Sequence, residues 1–159
     1  MPSVCTCELA RRADAAAIAD ISRWLIETDL VPMWSRERIL RYIHDKESTV
    51  LVARDRAQLV GFAIMQFGDV SAHLNLLGVL PSRQRSGIGR QLLTWLETTA
   101  IVAGIFTIRL EVRESNVGAR RFYAAMGYSE TDVVPGYYQG RDNAVRMVRD
   151  LSVHGRDGF

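Results

Sequence analysis

Residues 84–89, Gln-Arg-Ser-Gly-Ile-Gly, constrain the fold of this chain more than any other segment. An apolar stretch at residues 74–79 precedes them and predicts a strand, and residues 88–102 follow with the spacing of an amphipathic helix. Gly87 and Gly89 carry no Cβ, so the backbone can turn tightly and approach a ligand closely. The free N–H groups of the helix's first turn would face that ligand, where the helix dipole favours negative charge. The segment therefore predicts a strand–loop–helix unit that binds a pyrophosphate.

Two better-known phosphate loops do not fit this spacing. The dinucleotide fingerprint needs a small residue three positions after the second glycine, where this chain has Leu92. The Walker A loop needs Lys and then Ser or Thr after that glycine, and here Arg90 and Gln91 follow it. What remains is Gln-x-x-Gly-x-Gly between a strand and a helix or, as the alternative, an ordinary turn that uses glycine for its geometry. The side chains that would add positive charge around an anion are Arg83, Arg85 and Arg90.

Length and composition predict one domain of an ordinary soluble protein. The chain has 159 residues, of which 48% are hydrophobic and 24% charged. Its net charge of +2 gives no strong field, so nucleic acid is not expected as a partner. The sequence has no apolar run of the roughly 20 residues that a membrane span needs and no signal-peptide pattern at its start. We therefore expect a cytoplasmic protein with a single domain over residues 1–151 and a polar tail over residues 152–159.

The cysteines and histidines do not predict a metal site. Cys5 and Cys7 form a lone Cys-x-Cys pair, and His44, His73 and His154 are scattered along the chain. We expect two reduced thiols in or beside the first strand and no bound metal.

The remaining pattern predicts the element order βααβββαβαββ, an α/β sandwich around a mixed sheet. Strict alternation of apolar and polar residues predicts a strand at residues 107–113. Helix caps are expected at Asp14, Ser35 and Asn116, and Gly127 is expected to end the last helix. The other expected strands cover residues 4–10, 49–53, 59–67, 128–134 and 144–151, with connections at 54–58 and 135–140.

Two side chains are candidates for proton transfer. Glu111 lies on the polar side of its strand, where it can act as a general base for an amine, directly or through a water. The alternative is a solvated carboxylate paired with Arg109 or Arg113, which share its face. Tyr123 lies on the apolar stripe of its helix, where it is either a packed aromatic or a phenol, of unperturbed pKa about 10, that protonates a leaving group. The pattern alone leaves these alternatives open.

Four further positions have alternative interpretations. Gly78 inside its strand is a tolerated small residue, a bulge, or a place where a ligand runs beside the backbone. Tyr137 and Tyr138 lie in a Gly/Pro-containing connection without a core face, which favours a binding surface. Asn116 can cap its helix and contact a ligand at the same time.

The central part of the chain resembles the GNAT superfamily of N-acetyltransferases, whose motif A binds the pyrophosphate of acetyl-coenzyme A. The similarity runs from residue 75 to residue 128, where Leu-Glu-Val-Arg at 110–113, Ser-Asn at 115–116, Phe-Tyr at 122–123 and Gly-Tyr at 127–128 follow the family's LEVR…SN…LY…GF pattern. Within the family the chain is most similar to the RimI type, which acetylates the N-terminal alanine of a small-subunit ribosomal protein. The resemblance implies a mixed central sheet of about seven strands flanked by about four helices, with acetyl-CoA as cosubstrate.

The resemblance also implies roles for individual residues. Glu111 takes the position of the family's base, Tyr123 that of its acid, and Asn116 that of a coenzyme contact. The backbone along the acetyl and pantetheine portion is implied at Leu77, Gly78 and Val79, and the pyrophosphate loop at Arg85, Ser86, Gly87, Ile88, Gly89 and Arg90.

The acceptor that the resemblance implies is the N-terminal α-amine of a protein or peptide, attacked directly in a ternary complex. Tyr137 and Tyr138 match the family's tyrosine pair before the last strand, and Trp34 lies in a segment that resembles the family's Pro-Trp-Ser segment. The resemblance implies that all three residues contact the substrate. An α-amine, with a pKa of about 7.7–8, needs less help from one carboxylate than a lysine at about 10.4. The loop after Tyr138 is shorter than the family's, so a small-molecule amine or a lysine is the alternative acceptor, and a non-catalytic acetyl-CoA-binding module is a further alternative. We expect a monomer or a weak homodimer.

Overall fold

The computed structural model describes residues 5–152. Within them, seven strands and four helices follow one another in the predicted order, so the expected α/β fold class is confirmed. The strands are β1 (Cys5–Leu9), β2 (Ser48–Asp55), β3 (Gln58–Phe67), β4 (Ala72–Val79), β5 (Thr107–Arg113), β6 (Ser129–Tyr138) and β7 (Asp142–Asp150). The helices are α1 (Ala15–Leu25), α2 (Arg36–His44), α3 (Ile88–Val102) and α4 (Val117–Ala125).

The strands form one mixed sheet in the order β1-β2-β3-β4-β5-β7-β6. Strand β2 is antiparallel to both β1 and β3, and β7 is antiparallel to both β5 and β6. Strand β4 pairs in parallel with β5, where Ala72 lies opposite Ile108 and His73 opposite Arg109. This register matters for function because it fixes which side chains of β4, β5 and β7 share a face.

The chain divides into two compact units, and the first contains Asn75–Thr98 together with the part of the chain that ends at Gln66. Its core packs helices α1 and α2 against strands β2 and β3. Burial removes apolar surface from water, which is the main favourable contribution to folding. The core consists of Ala15, Ile18, Ala19, Ile39, Val50, Val52, Phe62, Ile64 and Leu76.

The second unit contains Phe67–Leu74 and the chain from Thr99 onward. The predicted alternation in β5 is confirmed, since Ile108, Leu110 and Val112 are buried while Arg109 is exposed. The side of β5 that carries the odd-numbered residues is therefore available for polar chemistry. The single domain expected over residues 1–151 stays a prediction.

Three local expectations need correction. The connection predicted at residues 54–58 is shorter, because β2 runs to Asp55 and β3 begins at Gln58. Asp14 precedes α1, but its carboxylate accepts from the Arg11 N–H and from Arg54 instead of capping α1. The predicted connection at residues 135–140 is mostly strand, because β6 continues through a register shift to Tyr138.

The other helix ends agree with the sequence. The Ser35 hydroxyl accepts from the Arg38 N–H at 3.1 Å, and the Asn116 side chain accepts from the Ala119 N–H at 3.1 Å. Gly127 has a φ of 97°, in the left-handed region that glycine occupies readily. Residues 153–159 of the predicted polar tail lie outside the described residues. Within residues 5–152, no helix is long and apolar enough to cross a membrane.

Candidate active site

The predicted pyrophosphate loop is exposed and has an unusual backbone. Gly87 has a φ of 87°, and an added Cβ there would meet no atom of the described residues within 4 Å. The space beside this glycine is therefore open to a ligand. Arg85 has a φ of 63°, a left-handed conformation that costs a residue with a Cβ about 1 kcal/mol or more. Helix α3 begins directly after the loop at Ile88, so its first N–H groups are positioned there.

Hydrogen bonds from within the first unit hold this loop in place. The Gln84 side chain donates to the Val79 carbonyl at 3.1 Å, and the Ser86 hydroxyl donates to the Arg83 carbonyl. Arg83 in turn donates to Asp55 at 2.6 Å, at the end of β2. Because Arg83 is engaged in this ion pair, the exposed cations of the loop are Arg85 and Arg90. The loop is preorganised, which reduces the entropy that ligand binding has to overcome.

Close packing within the first unit explains why position 78 is a glycine. The sequence does not predict this explanation. A Cβ at this position would lie 2.8 Å from Cζ of Phe62 and 3.2 Å from Cδ1 of Ile26. Phe62 is fully buried, so the ring has little room to move. The absence of a side chain at Gly78 therefore lets β4 lie close to the core, whatever ligand runs along its backbone.

Trp34 belongs to the segment between α1 and α2, which one buried carboxylate organises. Glu27 is only 6% exposed and accepts hydrogen bonds from the N–H groups of Met33 and Trp34 and from the Ser22 hydroxyl. The Trp34 ring packs 5.1 Å from the Tyr42 ring, and the Arg38 guanidinium lies 4.3 Å above it. These contacts fix Trp34, and its contact with substrate stays a prediction.

Glu111 lies at the centre of a polar cluster in the second unit. Its Oε1 is 2.9 Å from Nε2 of His73 and accepts from the Tyr137 hydroxyl at 3.0 Å. Its Oε2 is 4.0 Å from Nε of Arg146. The side chain is only 9% exposed, so the alternative of a solvated carboxylate paired with Arg109 or Arg113 is wrong. Those two arginines have other partners: Arg109 donates weakly to Ser71, and Arg113 pairs with Asp142.

This environment controls the protonation of Glu111. Burial alone raises the pKa of the carboxyl, but the hydrogen bond and positive field of His73, the Tyr137 hydroxyl and Arg146 together hold the pKa below its ordinary value. Glu111 is therefore ionised at neutral pH. An ionised carboxylate held by its neighbours can accept a proton from an amine, either directly or through a water that lies between the two groups.

Tyr137 and Tyr138 lie on strand β6, whereas the sequence pattern predicts a loop there. Tyr137 is 44% exposed, and burial together with the neighbouring Glu111 raises the pKa of its phenol to about 12. Tyr138 is partly buried, packs edge-on against Tyr137 at 4.9 Å between ring centroids, and lies 5.6 Å from the Arg113 guanidinium. Burial also raises the pKa of Tyr138 above its ordinary range. Both phenols remain protonated and can donate hydrogen bonds at neutral pH.

Tyr123 is buried on α4, where it packs edge-on against Phe122 and Tyr128. Burial raises the pKa of its phenol well above the ordinary value, with a smaller contribution from Tyr138. The packing agrees with the interpretation as a core aromatic. The high pKa also keeps the proton on the phenol, as an acid must, so its predicted catalytic role stays a prediction. Asn116 caps α4, and its predicted coenzyme contact likewise stays a prediction.

The sequence pattern does not single out His73 and Arg146, which complete the Glu111 cluster. His73 is one of three histidines scattered along the chain, and the pattern predicts that β4 begins after it. Both lie beside Glu111 because of strand register, which pairs His73 with Arg109 and Arg146 with Glu111. The only signal in the sequence was that each is a polar residue within an otherwise alternating strand.

The residues present fit a coenzyme with a pyrophosphate better than a metal. Among residues 5–152, no group of three or more His, Cys, Asp or Glu side chains could hold a metal ion. Cys5 and Cys7 are free thiols in β1, as expected. The open space at Gly87, the exposed cations Arg85 and Arg90, and the start of α3 together suit an anionic ligand.

Comparison with known proteins agrees with these features. The sequence profile of the acetyltransferase (GNAT) family matches residues 18–128. Ribosomal protein bS18-alanine N-acetyltransferase of Haemophilus influenzae is 42% identical over 94 residues, which span 57% of this chain and 64% of that protein. The enzyme of the same name from Salmonella typhimurium is 36% identical over 116 residues, which span 71% of this chain and 74% of that protein. The predicted resemblance to this type of acetyltransferase is thereby confirmed.

Solved structures show the same fold. Ribosomal-protein-S18-alanine N-acetyltransferase from Escherichia coli superimposes with a TM-score of 0.80 at 27% identity, covering 93% of this chain and 94% of that one. The PaiA N-acetyltransferase from Thermoplasma acidophilum, solved in complex with coenzyme A, superimposes with a TM-score of 0.78 at 21% identity, covering 92% of this chain and 99% of that one. With the family profile spanning most of its length and the fold in agreement, the chain belongs to the acetyltransferase (GNAT) family and is an N-acetyltransferase.

Proposed function

We propose that this N-acetyltransferase transfers the acetyl group of acetyl-CoA to the N-terminal α-amine of a protein or peptide, by direct attack in a ternary complex. The relatives that act on the alanine of ribosomal protein bS18 support this acceptor class, and a ribosomal protein N-terminus is the first candidate. We further propose that the reaction takes place in the cytoplasm and that the enzyme is a monomer or a weak homodimer.

The observation that carries the proposal is the environment of Glu111. A carboxylate that is 9% exposed, hydrogen-bonded to His73 and Tyr137, and ionised at neutral pH is a base with a fixed orientation. An α-amine, with a pKa of about 7.7–8, is already partly neutral at pH 7, so a carboxylate of low pKa has only to accept, directly or through a water, the proton that becomes acidic as the neutral amine attacks the thioester. A lysine side chain, at about 10.4, would ask more of the same base.

The coenzyme would be held by the first unit. When bound, acetyl-CoA supplies the thioester carbon that the amine attacks. The N–H groups at Gly87, Ile88 and Gly89 would bind the pyrophosphate, with Arg85 and Arg90 adding charge. The backbone of Leu77, Gly78 and Val79 would run beside the acetyl and pantetheine portion.

The second unit would supply the proton transfers and the acceptor contacts. Glu111 removes the proton of the attacking amine, and the Tyr123 phenol, kept protonated by burial, donates toward the sulfur of the leaving group. Asn116 contacts the coenzyme while it caps α4. Tyr137 and Tyr138 present phenol donors to the acceptor backbone, and Trp34 contributes an apolar contact from its own unit.

The experiment is an acetylation assay with acetyl-CoA against matched acceptors. Peptides that start with Ala, Ser or Met are compared with the same peptides blocked at the α-amine but carrying an internal lysine, and with polyamines. We expect turnover of the free α-amines and little of the blocked peptides or polyamines. A preference for the lysine peptides or the polyamines would overturn the proposed acceptor class. Binding of acetyl-CoA without acetylation of any acceptor would overturn catalysis itself.

Variants test the residue roles within this assay. Glu111→Gln and Tyr123→Phe should each lower kcat by about 10²–10⁴-fold, the usual contribution of a general acid or base, while the affinity for acetyl-CoA is retained. Glu130→Gln is the matched control for Glu111→Gln, because Glu130 lies in the same unit but pairs with Arg120. Unchanged rates in Glu111→Gln and Tyr123→Phe would refute the acid and base assignments.

A further inference from the structure

Arg146 and Glu111 form an unusual pair in the second unit. They are cross-strand partners in the β5–β7 register, and Nε of Arg146 lies 4.0 Å from Oε2 of Glu111. That separation is too long for a hydrogen bond between them. Both atoms are buried, and within residues 5–152 neither has a hydrogen-bond partner. A donor and an acceptor thus lie side by side, each with its hydrogen-bonding capacity unused, which is costly for buried polar atoms.

Neighbouring contacts hold both side chains in this arrangement. Nη1 of Arg146 donates to Oδ2 of Asp132 at 3.2 Å, and Asp132 accepts from the Thr131 hydroxyl at 2.8 Å through its other oxygen. Oε1 of Glu111 is occupied by His73 and Tyr137. Each side chain is therefore anchored through one polar atom, and the remaining Nε and Oε2 face the same small region.

A group that satisfies both atoms must donate to the carboxylate and accept from the guanidinium at short spacing. The first residue of a peptide has this chemistry, because its α-amine donates and its own carbonyl oxygen, on the next backbone carbon, accepts. The ε-amine of a lysine has an N–H but no acceptor at that spacing. A polyamine brings a second positive charge toward the guanidinium, which is unfavourable at this distance.

We propose that Arg146 determines acceptor specificity by donating its Nε–H to the carbonyl oxygen of the acceptor's first residue while the α-amine lies at Oε2 of Glu111. This inference rests on the proposed acetylation of N-terminal α-amines and names the residue that recognises them. Arg146 is a specificity-determining residue and not the base, because Glu111 takes the proton.

Entry of the acceptor requires one neighbour to yield, since both atoms are buried. Tyr137 is the exposed member of the cluster, and its hydroxyl is bound to the other oxygen of Glu111. The pairing of β6 with β7 also shifts register between Val134 and Tyr138, so Tyr137 is not held by regular strand pairing. When the Tyr137 phenol moves away from Oε1, His73 still contacts that oxygen and the acceptor α-amine donates to Oε2, so the carboxylate keeps two polar contacts.

The test compares two acceptors that differ at the first peptide bond. One is an N-terminal alanine peptide, and the other is its isostere with an (E)-alkene in place of that bond, which keeps a primary amine and the extended shape but has neither the carbonyl oxygen nor the following N–H. Because the lost N–H is common to every enzyme variant, the quantity compared is how each variant changes the ratio between the two acceptors. Wild type, Arg146→Met and Arg146→Lys are assayed for kcat/KM on both. Arg109→Met is the matched control, because Arg109 is exposed on β5 and bonds only weakly to Ser71. Thermal midpoints and acetyl-CoA affinities verify that each variant is folded.

We expect Arg146→Met to lower kcat/KM on the peptide by about 10- to 100-fold, as for a hydrogen bond from a charged group, and on the isostere by less than about 3-fold. Arg146→Lys should recover part of the loss, and Arg109→Met should leave the ratio between the two acceptors unchanged. Equal losses on both acceptors would show that Arg146 acts only on Glu111 or on folding, which overturns this inference while the proposed function stands. Failure of wild type to acetylate either α-amine would overturn the proposed function and the inference with it.

Discussion

Replacing Gly78 by alanine is expected to lower the free energy of unfolding, because the new methyl group enters occupied space. The Cβ would lie 2.8 Å from Cζ of Phe62 and 3.2 Å from Cδ1 of Ile26. Carbon atoms pack at about 3.5–4.0 Å, so the Phe62 ring must retreat by roughly 0.7 Å or more. Phe62 is fully buried in the core of the first unit, where such displacements meet other side chains.

The expected magnitude follows from overpacking of a close-packed core. Inserting a methylene-sized group typically costs about 1–3 kcal/mol. For a chain of this length each kcal/mol corresponds to about 2–4 °C in the thermal midpoint, so Gly78→Ala should lower the midpoint by roughly 2–12 °C. Urea unfolding monitored by circular dichroism measures the free energy directly.

Two further variants isolate the cause. Phe62→Leu removes the clashing ring atom, so Gly78→Ala should cost less in that background than in wild type. Gly118→Ala is the control, because a Cβ there would meet only the Asn116 side chain at 3.9 Å and alanine is the better helix former. A Gly78→Ala protein of unchanged stability, or one destabilised equally with and without Phe62, would refute the packing argument. Loss of acetyl-CoA affinity at unchanged stability would assign Gly78 to the ligand instead.

Three other perturbations have defined outcomes. His73→Leu should move the acid limb of the kcat/KM profile to higher pH, because Glu111 loses a neighbour that holds its pKa down. Burial raises the pKa of Asp14, but hydrogen bonds from Arg54 and the backbone outweigh burial and keep the pKa below the ordinary value. This carboxylate therefore stabilises the fold at pH values above the unfolded-state pKa of about 3.9, and the stabilisation is lost as the pH falls through the lower pKa of the folded state. Asp14→Asn should therefore destabilise at pH 7 and approach wild type below about pH 4 in urea titrations. Asn116→Ala removes the cap of α4 and should cost about 1 kcal/mol in the same titrations.

Each of these expectations can fail separately. An unmoved acid limb in His73→Leu would mean that another group titrates in the profile. A constant gap between Asp14→Asn and wild type from pH 7 to pH 3 would contradict the linkage argument. An Asn116→Ala variant as stable as wild type would show that the cap contributes nothing to folding.

The sequence predicts those parts of the fold that depend on interactions between residues close together in the chain. The strand at residues 107–113 was predicted with its observed bounds, because strict alternation allows only one periodicity. The loop at residues 84–89 and the caps at Ser35 and Asn116 were also predicted, since glycine geometry and short polar side chains act within a few residues.

What the sequence could not predict depends on residues far apart in the chain. His73 and Arg146 reach Glu111 only through the parallel register of β4 with β5 and the antiparallel register of β7 with β5. Likewise, Phe62 crowds a side chain at Gly78 only once β3 and β4 are neighbours. Single-strand periodicity contains no information about pairing partners, so these contacts had no local signal.

The error at residues 135–140 has a different cause. Pro135 and Gly136 are typical of turns, and they suggested a loop that presents Tyr137 and Tyr138. The register shift in β6 accommodates both turn residues within the strand, with Gly136 at a φ of 66°. The two turn residues therefore mark a bulge within β6 and not a connection between strands.

The hydrogen bonds from the segment between α1 and α2 to Glu27 limit which residues of that segment can change during evolution. The carboxylate accepts hydrogen bonds from the main-chain N–H groups of Met33 and Trp34, so this anchor does not depend on which side chain stands at either position. The exposed side chain of Met33 can be exchanged, by drift or by library design, while the path of the chain is conserved. Glu27 itself cannot be exchanged in this way, because its loss would leave the N–H groups of Met33 and Trp34 without this acceptor.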